Sequence, residues 1–112
     1  MTMKIKNVTF KTVGVTFDNP DGTSRQSIIS GMSQASKVRL RREPMNMYDV
    51  NAIAVDLQLV GDMYVQIGYI PKQYAAILSP VMDGGTRLEA TVGEVDKYKN
   101  TWYCHIIVNE VV

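Results

Sequence analysis

The sequence predicts a mainly β domain of six short strands and two short helices, folded as a small, strongly curved sheet or partly open barrel. Three observations predict this class. Apolar and polar residues alternate in several short runs, as they do in half-buried strands. Turn-forming residues separate these runs. The chain has 112 residues, which suits one core, and a curved sheet hides its strand edges best at this size.

The first half of the chain has the pattern of a strand, a turn, a helix and a second strand. Alternation over residues 8–17 slips once midway, which predicts a bulged first strand. Residues 19–22, Asn-Pro-Asp-Gly, predict a turn. Thr23 or Ser24 then caps a short helix, and residues 37–42 form the next strand.

The second half begins with a polar loop over residues 43–51. Alternating strands over residues 52–59 and 64–70 follow and predict a hairpin. Pro71 suits the first turn of a helix, which Gly84 ends.

Two further strands, at residues 88–92 and 101–111, complete the set. No repeat or linker interrupts the pattern, so we expect one domain over residues 1–112. With 46% apolar residues, 21% charged residues and a net charge of +1, the composition is ordinary for a soluble protein. No apolar run is long enough to cross a bilayer or resembles a signal peptide. We therefore expect a cytoplasmic protein of prokaryotic or phage origin, without membrane contact.

Cys104 and His105 are the single cysteine and the single histidine of the chain. They are too few for a disulfide or a zinc site, so the sequence predicts no metal and no cofactor. As neighbours in a strand they point to opposite faces, which argues against a nucleophile–base pair. No paired carboxylates or phosphate-cradling glycine loop stand out, and we expect no enzyme activity.

The most informative stretch is residues 41–55, where two arginines end a strand, a turn rich in Asn and Asp holds one tyrosine, and an apolar strand resumes. Together with residues 13–15 and 68–72, this stretch resembles the signature of the HIRAN domain family. The positions that carry the resemblance are Arg42, Glu43, Pro44, Asn46, Tyr48, Asp49 and residues 51–55.

The resemblance implies a six-stranded, OB-like barrel with two short helices that binds single-stranded DNA at a free 3′-hydroxyl end. In some relatives the domain is fused to an ATPase and acts at stalled replication forks. This chain looks like a stand-alone version, so the expected partners are a single-stranded 3′ end and a separately encoded helicase or ATPase. The expected setting is DNA repair or the processing of stalled forks.

Physical chemistry suggests how three of these residues recognise a strand end. An ionised carboxylate accepts a hydrogen bond from a terminal hydroxyl and repels a phosphate at the same place, and Asp49 is the candidate for this role. Tyr48 can stack on a base, and Asn46 can donate to phosphate or base edges. For Asn46 and Asp49, the alternative is that both bond to the backbone of their own turn.

The remaining candidates are cations and rings. Arg42 and Lys72 can neutralise inner phosphates, although Arg42 falls on the apolar face of its strand and can instead pair with a carboxylate. Tyr69 can stack or hydrogen-bond, and Phe17 and Trp102 can complete an aromatic wall. The resemblance itself implies binding roles for Asn46, Tyr48, Asp49 and Lys72.

Two departures from relatives weaken the parallel. Some DNA-binding relatives have an Arg-Tyr pair where this chain has Thr16 and Phe17, and loss of that arginine removes a phosphate contact. Position 69, a histidine in one relative, is Tyr69 here. A second hypothesis is therefore a protein-interaction or assembly module on the same barrel, without DNA-end binding.

Overall fold

A computed structural model describes residues 5–111. It contains six strands and two helices, in the order β1 (Val8–Lys11), α1 (Arg25–Ser30), β2 (Val38–Arg42), β3 (Ile53–Gln58), β4 (Tyr64–Tyr69), α2 (Lys72–Asp83), β5 (Leu88–Tyr98) and β6 (Thr101–Glu110). The predicted mainly β class is confirmed. Neither described helix has the length and apolarity needed to span a membrane.

The strands form two three-stranded antiparallel sheets, ordered β1-β6-β5 and β2-β3-β4. Isolated bridges join the sheets at two places, Val13 with Tyr69 and Lys37 with Thr91. Because single bridges rather than paired strands join the two sheets, the described part of the chain does not form a closed barrel, and the arrangement is consistent with the expected OB-like fold.

The predicted first strand is wrong in its second half, because β1 ends at Lys11. The Thr12 amide still donates to the Cys104 carbonyl of β6 (3.0 Å). Val13 then exchanges two 2.9 Å hydrogen bonds with Tyr69 of the other sheet. The slip in the apolar alternation thus marks a crossing between sheets and not a bulge within one strand, and residues 12–17 are called the crossing segment below.

The core lies between the two sheets and is closed by the two helices. Its fully buried large side chains include Ile29, Ile53, Ile67, Leu78 and Ile106. Cys104 belongs to this core, and burial raises the pKa of its thiol to about 12. Such a thiol stays protonated at neutral pH and is a poor nucleophile.

Helix α1 is fixed at its beginning and along its side. Ser24 is the N-cap, and its hydroxyl accepts a hydrogen bond from the Ser27 amide (3.1 Å), as predicted for one of the two candidate caps. The Gln26 side chain donates to the Val15 and Trp102 carbonyls and accepts from the Trp102 amide. These bonds tie α1 to the crossing segment and to β6.

Candidate nucleic-acid interface

A cleft of about 820 Å³ opens where the crossing segment, the loop after β2 and the start of α2 meet. Its lining residues are Val13, Phe17, Arg25, Asn46, Tyr48, Asp49, Ala52, Tyr69, Ile70 and Lys72. Six of the eight residues singled out in the sequence are among them, and Arg42 and Trp102 are not.

One wall of the cleft is the rim loop, residues 43–51, which its own side chains hold in shape. The Asn46 Oδ1 atom accepts hydrogen bonds from the Tyr48 and Asp49 amides (2.9 and 3.0 Å). Asp49 Oδ1 accepts from the Asn51 amide (2.9 Å), and Asn51 Oδ1 accepts from the Ser79 hydroxyl of α2 (3.0 Å). The turn roles considered for Asn46 and Asp49 are thus both present.

The ordered rim loop presents one ring and one carboxylate oxygen. The Tyr48 side chain is 94% exposed, although its backbone amide is fixed by Asn46. Asp49 Oδ2 accepts a hydrogen bond from none of the residues that the structure describes. The loop therefore leaves an aromatic face and an acceptor atom available at the cleft.

Glu43 connects the rim loop to the opposite wall. Its Oε1 accepts from the Tyr69 hydroxyl (2.8 Å) and from Asn46 Nδ2 (3.0 Å), and its Oε2 pairs with Arg41 (2.7 Å). Burial alone would raise the pKa of Glu43, but the hydrogen bonds from Tyr69, Asn46 and Arg41 lower it below its ordinary value. Burial, with the Glu43 hydrogen bond, raises the pKa of Tyr69. At neutral pH Glu43 is therefore an acceptor and Tyr69 a donor.

Behind Glu43 lies a buried carboxylate, Asp56 of β3, which is only 2% exposed. Arg39 donates to it once (3.0 Å), and Arg41 donates through Nε (2.9 Å) and Nη2 (3.2 Å). Both of these arginines of β2 are therefore engaged in ion pairs within the domain. They form a chain of ion pairs that runs from Asp56 through Arg41 to Glu43.

Arg42 lies outside the cleft and is held by α2. Its guanidinium binds both carboxylate oxygens of Asp83 (2.9 and 3.0 Å) and donates to the Ala52 carbonyl (2.9 Å). The sequence left open whether Arg42 neutralises a phosphate or pairs with a carboxylate, and in the structure it pairs with the Asp83 carboxylate. Trp102 also lies apart from the cleft, since its backbone binds Gln26 and the Lys97 ammonium lies 5.8 Å from its ring centroid.

Lys72 and Phe17 complete the set that the sequence identified. Lys72 is exposed, is the first residue of α2, and has no ion-pair partner among residues 5–111. Lys72 thus begins the helix at the end where backbone amides favour anions. Phe17 is 68% exposed and lines the cleft from the crossing segment.

Sequence reasoning missed four lining residues: Val13, Arg25, Ala52 and Ile70. Arg25 is the charged one, and it lies four positions before Ile29, so both fall on the same face of α1. Ile29 is fully buried. A cation on the buried face of the predicted helix was therefore the signal in the sequence that points to Arg25.

On the outer face of β5 and β6, three possible metal ligands cluster within 4.8 Å of one another: Glu94, Asp96 and His105. His105 Nε2 lies 3.3 Å from Asp96 Oδ1, so these two side chains already pair with each other. His105 and Cys104 face opposite sides of the sheet, as predicted for strand neighbours.

The fold and the cleft define a small mainly β binding domain with rings, an acceptor and a cation at one site. The HIRAN domain family model matches residues 6–110. The chain therefore belongs to the HIRAN domain family, which is known as a family of nucleic-acid-binding domains.

Two solved structures share this fold. A protein from Lactobacillus plantarum has a TM-score of 0.74 and 24% identity, with 95% of this chain and 93% of that chain covered. The HIRAN domain of human HLTF has a TM-score of 0.65 and 23% identity, with 94% and 74% covered. No curated protein matches the chain.

Proposed function

We propose that this domain binds single-stranded DNA and recognises the 3′-hydroxyl end of the strand in the cleft. One observation carries the proposal: Tyr48, Asp49 and Lys72, selected for three different chemical tasks, line the same cleft. A strand end has a base that can stack on a ring, a sugar hydroxyl that can donate to an acceptor, and a phosphate that can pair with a cation. The cleft volume of about 820 Å³ is within the range of sites that enclose small ligands.

Asp49 supplies the end selectivity in this proposal. Its Oδ1 is engaged by the Asn51 amide, which fixes the carboxylate, and Oδ2 is left to accept the terminal hydroxyl. A 3′-phosphate at the same position, or the phosphodiester of a continuing strand, would be repelled by the negative charge of the Asp49 carboxylate. Asp49 therefore distinguishes a free 3′ end from the interior of a strand.

Aromatic rings hold the bases. Tyr48 stands out from the rim loop, and Phe17 and Tyr69 line other parts of the cleft. Stacking on such rings is worth roughly 1–3 kcal/mol per base and depends little on sequence. We therefore propose that the domain has only a weak base preference. From the family resemblance we further propose DNA repair or stalled-fork processing as the setting, and a separately encoded helicase or ATPase as the partner.

The test compares oligothymidylates that end in a 3′-hydroxyl, a 3′-phosphate or a 3′-terminal hairpin, with affinity measured by fluorescence anisotropy at low salt. We expect the 3′-hydroxyl strand to bind about tenfold more tightly than the other two, which corresponds to one charge-assisted hydrogen bond. Asp49→Asn keeps the acceptor for the Asn51 amide but removes the charge, so this variant should lose most of the preference.

The matched control is Asp62→Asn, which makes the same change in the exposed turn between β3 and β4 and should keep the parent's preference. Equal affinity for the three ends, or no binding to any of them, contradicts the proposal. Absence of DNA binding together with self-association in light scattering would instead support the assembly-module hypothesis.

A further inference from the structure

We propose that Arg25 is a phosphate-binding residue of the cleft, which contacts the phosphodiester one step inward from the terminal sugar. The inference rests on the proposed function and extends it by a residue that the sequence motif does not contain. Arg25 is the first residue of α1, it lines the cleft, and it is only 6% exposed.

The Arg25 guanidinium lacks a counter-charge. Its Nε donates to Asn19 Oδ1 (2.8 Å) and its Nη1 to the Gly14 carbonyl (2.9 Å), both of which are neutral acceptors. Among residues 5–111 no carboxylate oxygen lies within 4.0 Å of it. A buried cation without an anion is unfavourable, so the site is suited to an anionic ligand.

The third guanidinium nitrogen, Nη2, donates to none of the described residues. Every fully buried side-chain nitrogen and oxygen of those residues has a hydrogen-bond partner, so Nη2 is not fully buried. Since Arg25 lines the cleft, Nη2 is the donor that the inference assigns to a ligand there. Arginine presents planar donors that match phosphate oxygens well.

The guanidinium is also held in place before any ligand arrives. Asn19, which positions Nε, donates through Nδ2 to the Gln66 carbonyl (2.9 Å) and to the Thr23 hydroxyl (3.0 Å). The Arg25 guanidinium lies 5.8 Å from the Tyr69 ring centroid. A side chain fixed in this way loses little conformational entropy when it binds.

The placement narrows the ligand class. Arg25 and Lys72 supply two cations to the cleft, and the Asp49 carboxylate disfavours an anion beside it. A ligand that satisfies all three carries a phosphate on the 5′ side of its last sugar but none on the 3′ oxygen of that sugar. A strand end meets this description, whereas a free nucleoside or a 3′-nucleotide does not.

The first experiment measures the affinity of Arg25→Gln for the 3′-hydroxyl strand over a range of salt concentrations. We expect a loss of about tenfold or more and a log–log salt slope that is smaller by about 0.7, the amount for one phosphate contact on a single strand. The preference for 3′-hydroxyl over 3′-phosphate should remain. Arg87→Gln removes the same charge from an exposed side chain outside the cleft and is the matched control.

The second experiment needs no variant and keeps the inference testable if Arg25→Gln fails to fold. The Nε–Hε resonances of the parent are recorded by NMR during titration with inorganic pyrophosphate and with the 3′-hydroxyl strand. We expect the Arg25 resonance to shift saturably, while those of Arg39 and Arg41, both paired with Asp56, stay in place.

The outcomes separate the two proposals. If the strand binds but Arg25→Gln behaves like Arg87→Gln, the Arg25 inference is wrong and the proposed function stands. If no strand binds but pyrophosphate shifts the Arg25 resonance, the anion site stands and the proposed function is wrong. An Arg25 resonance that neither probe moves overturns the inference.

Discussion

Gly68→Ala is expected to lower the free energy of unfolding by about 3 kcal/mol, at the upper end for overpacking, and to abolish ligand binding. A Cβ atom at position 68 would lie 2.6 Å from the Val13 carbonyl oxygen and 3.3 Å from Val15 Cγ1. The first of these is a backbone atom and cannot rotate away. It belongs to the bridge between Val13 and Tyr69 that joins the two sheets, and both residues line the cleft.

Thermal unfolding followed by circular dichroism measures this effect, with an expected fall in Tm of about 15 °C. Gly31→Ala is the matched control, because its new Cβ atom would come no closer than 3.7 Å to the nearest heavy atom, and the residue has a negative φ. If both variants unfold at the same temperature, the close approach of the sheets at Gly68 is not as described.

Asp56→Ala is expected to destabilise the domain by about 2–3 kcal/mol. Breaking a fully buried ion pair commonly costs about 3–5 kcal/mol, but the two arginine side chains are 45% and 39% exposed and recover some hydration. The loss of Asp56 also frees Arg41, which otherwise orients Glu43. We therefore expect weaker ligand binding as well, since Glu43 holds Asn46 and Tyr69 at the cleft.

Urea unfolding compares Asp56→Ala with Arg39→Ala. The Arg39 variant removes one hydrogen bond to Asp56 and the guanidinium 3.5 Å from the Tyr64 ring centroid, but it leaves Arg41 on the carboxylate. Its expected loss is about 1 kcal/mol. Equal stability and equal strand binding of the two variants would show that Asp56 does not anchor an ion-pair chain.

The strand count could be predicted because it depends on local pattern. Alternation and turn residues mark the strands of the hairpin over residues 52–70, and the rim loop lies between two of the predicted strands. Residues 68–72 then lead from β4 into α2. The rim loop and the start of α2 are neighbours only because the sheet brings them together, and local pattern does not show this. The family resemblance is what indicated that they form one site.

The end of β1 could not be predicted from alternation. The apolar pattern continues past Lys11 because residues on both sides of the crossing still face the core, and Val15 is as buried as Phe10. What changes is the hydrogen-bond partner, from β6 to Tyr69 of β4. The apolar pattern of one strand does not reveal which strand it pairs with. The partner of Arg42 was open for the same reason, since Asp83 is distant in sequence.

Arg25 and Glu43 show a second limit of the sequence. Glu43 is part of the recognised motif, but its role as the shared acceptor for Tyr69, Asn46 and Arg41 appears only when three elements are packed together. Because Thr16 stands where some relatives have an arginine, the sequence predicts one phosphate contact fewer. The inferred role of Arg25 supplies a cation to the cleft from α1 instead.

Strand binding in the cleft is tested most directly by mapping the backbone amide shifts of the parent during titration with a 3′-hydroxyl oligothymidylate. We expect the largest shifts in residues 46–51 and 69–72 and at Arg25, which surround the cleft. Shifts concentrated on the outer face of β5 and β6, around Glu94 and His105, would contradict this expectation. So would a titration at low salt that moves no resonance.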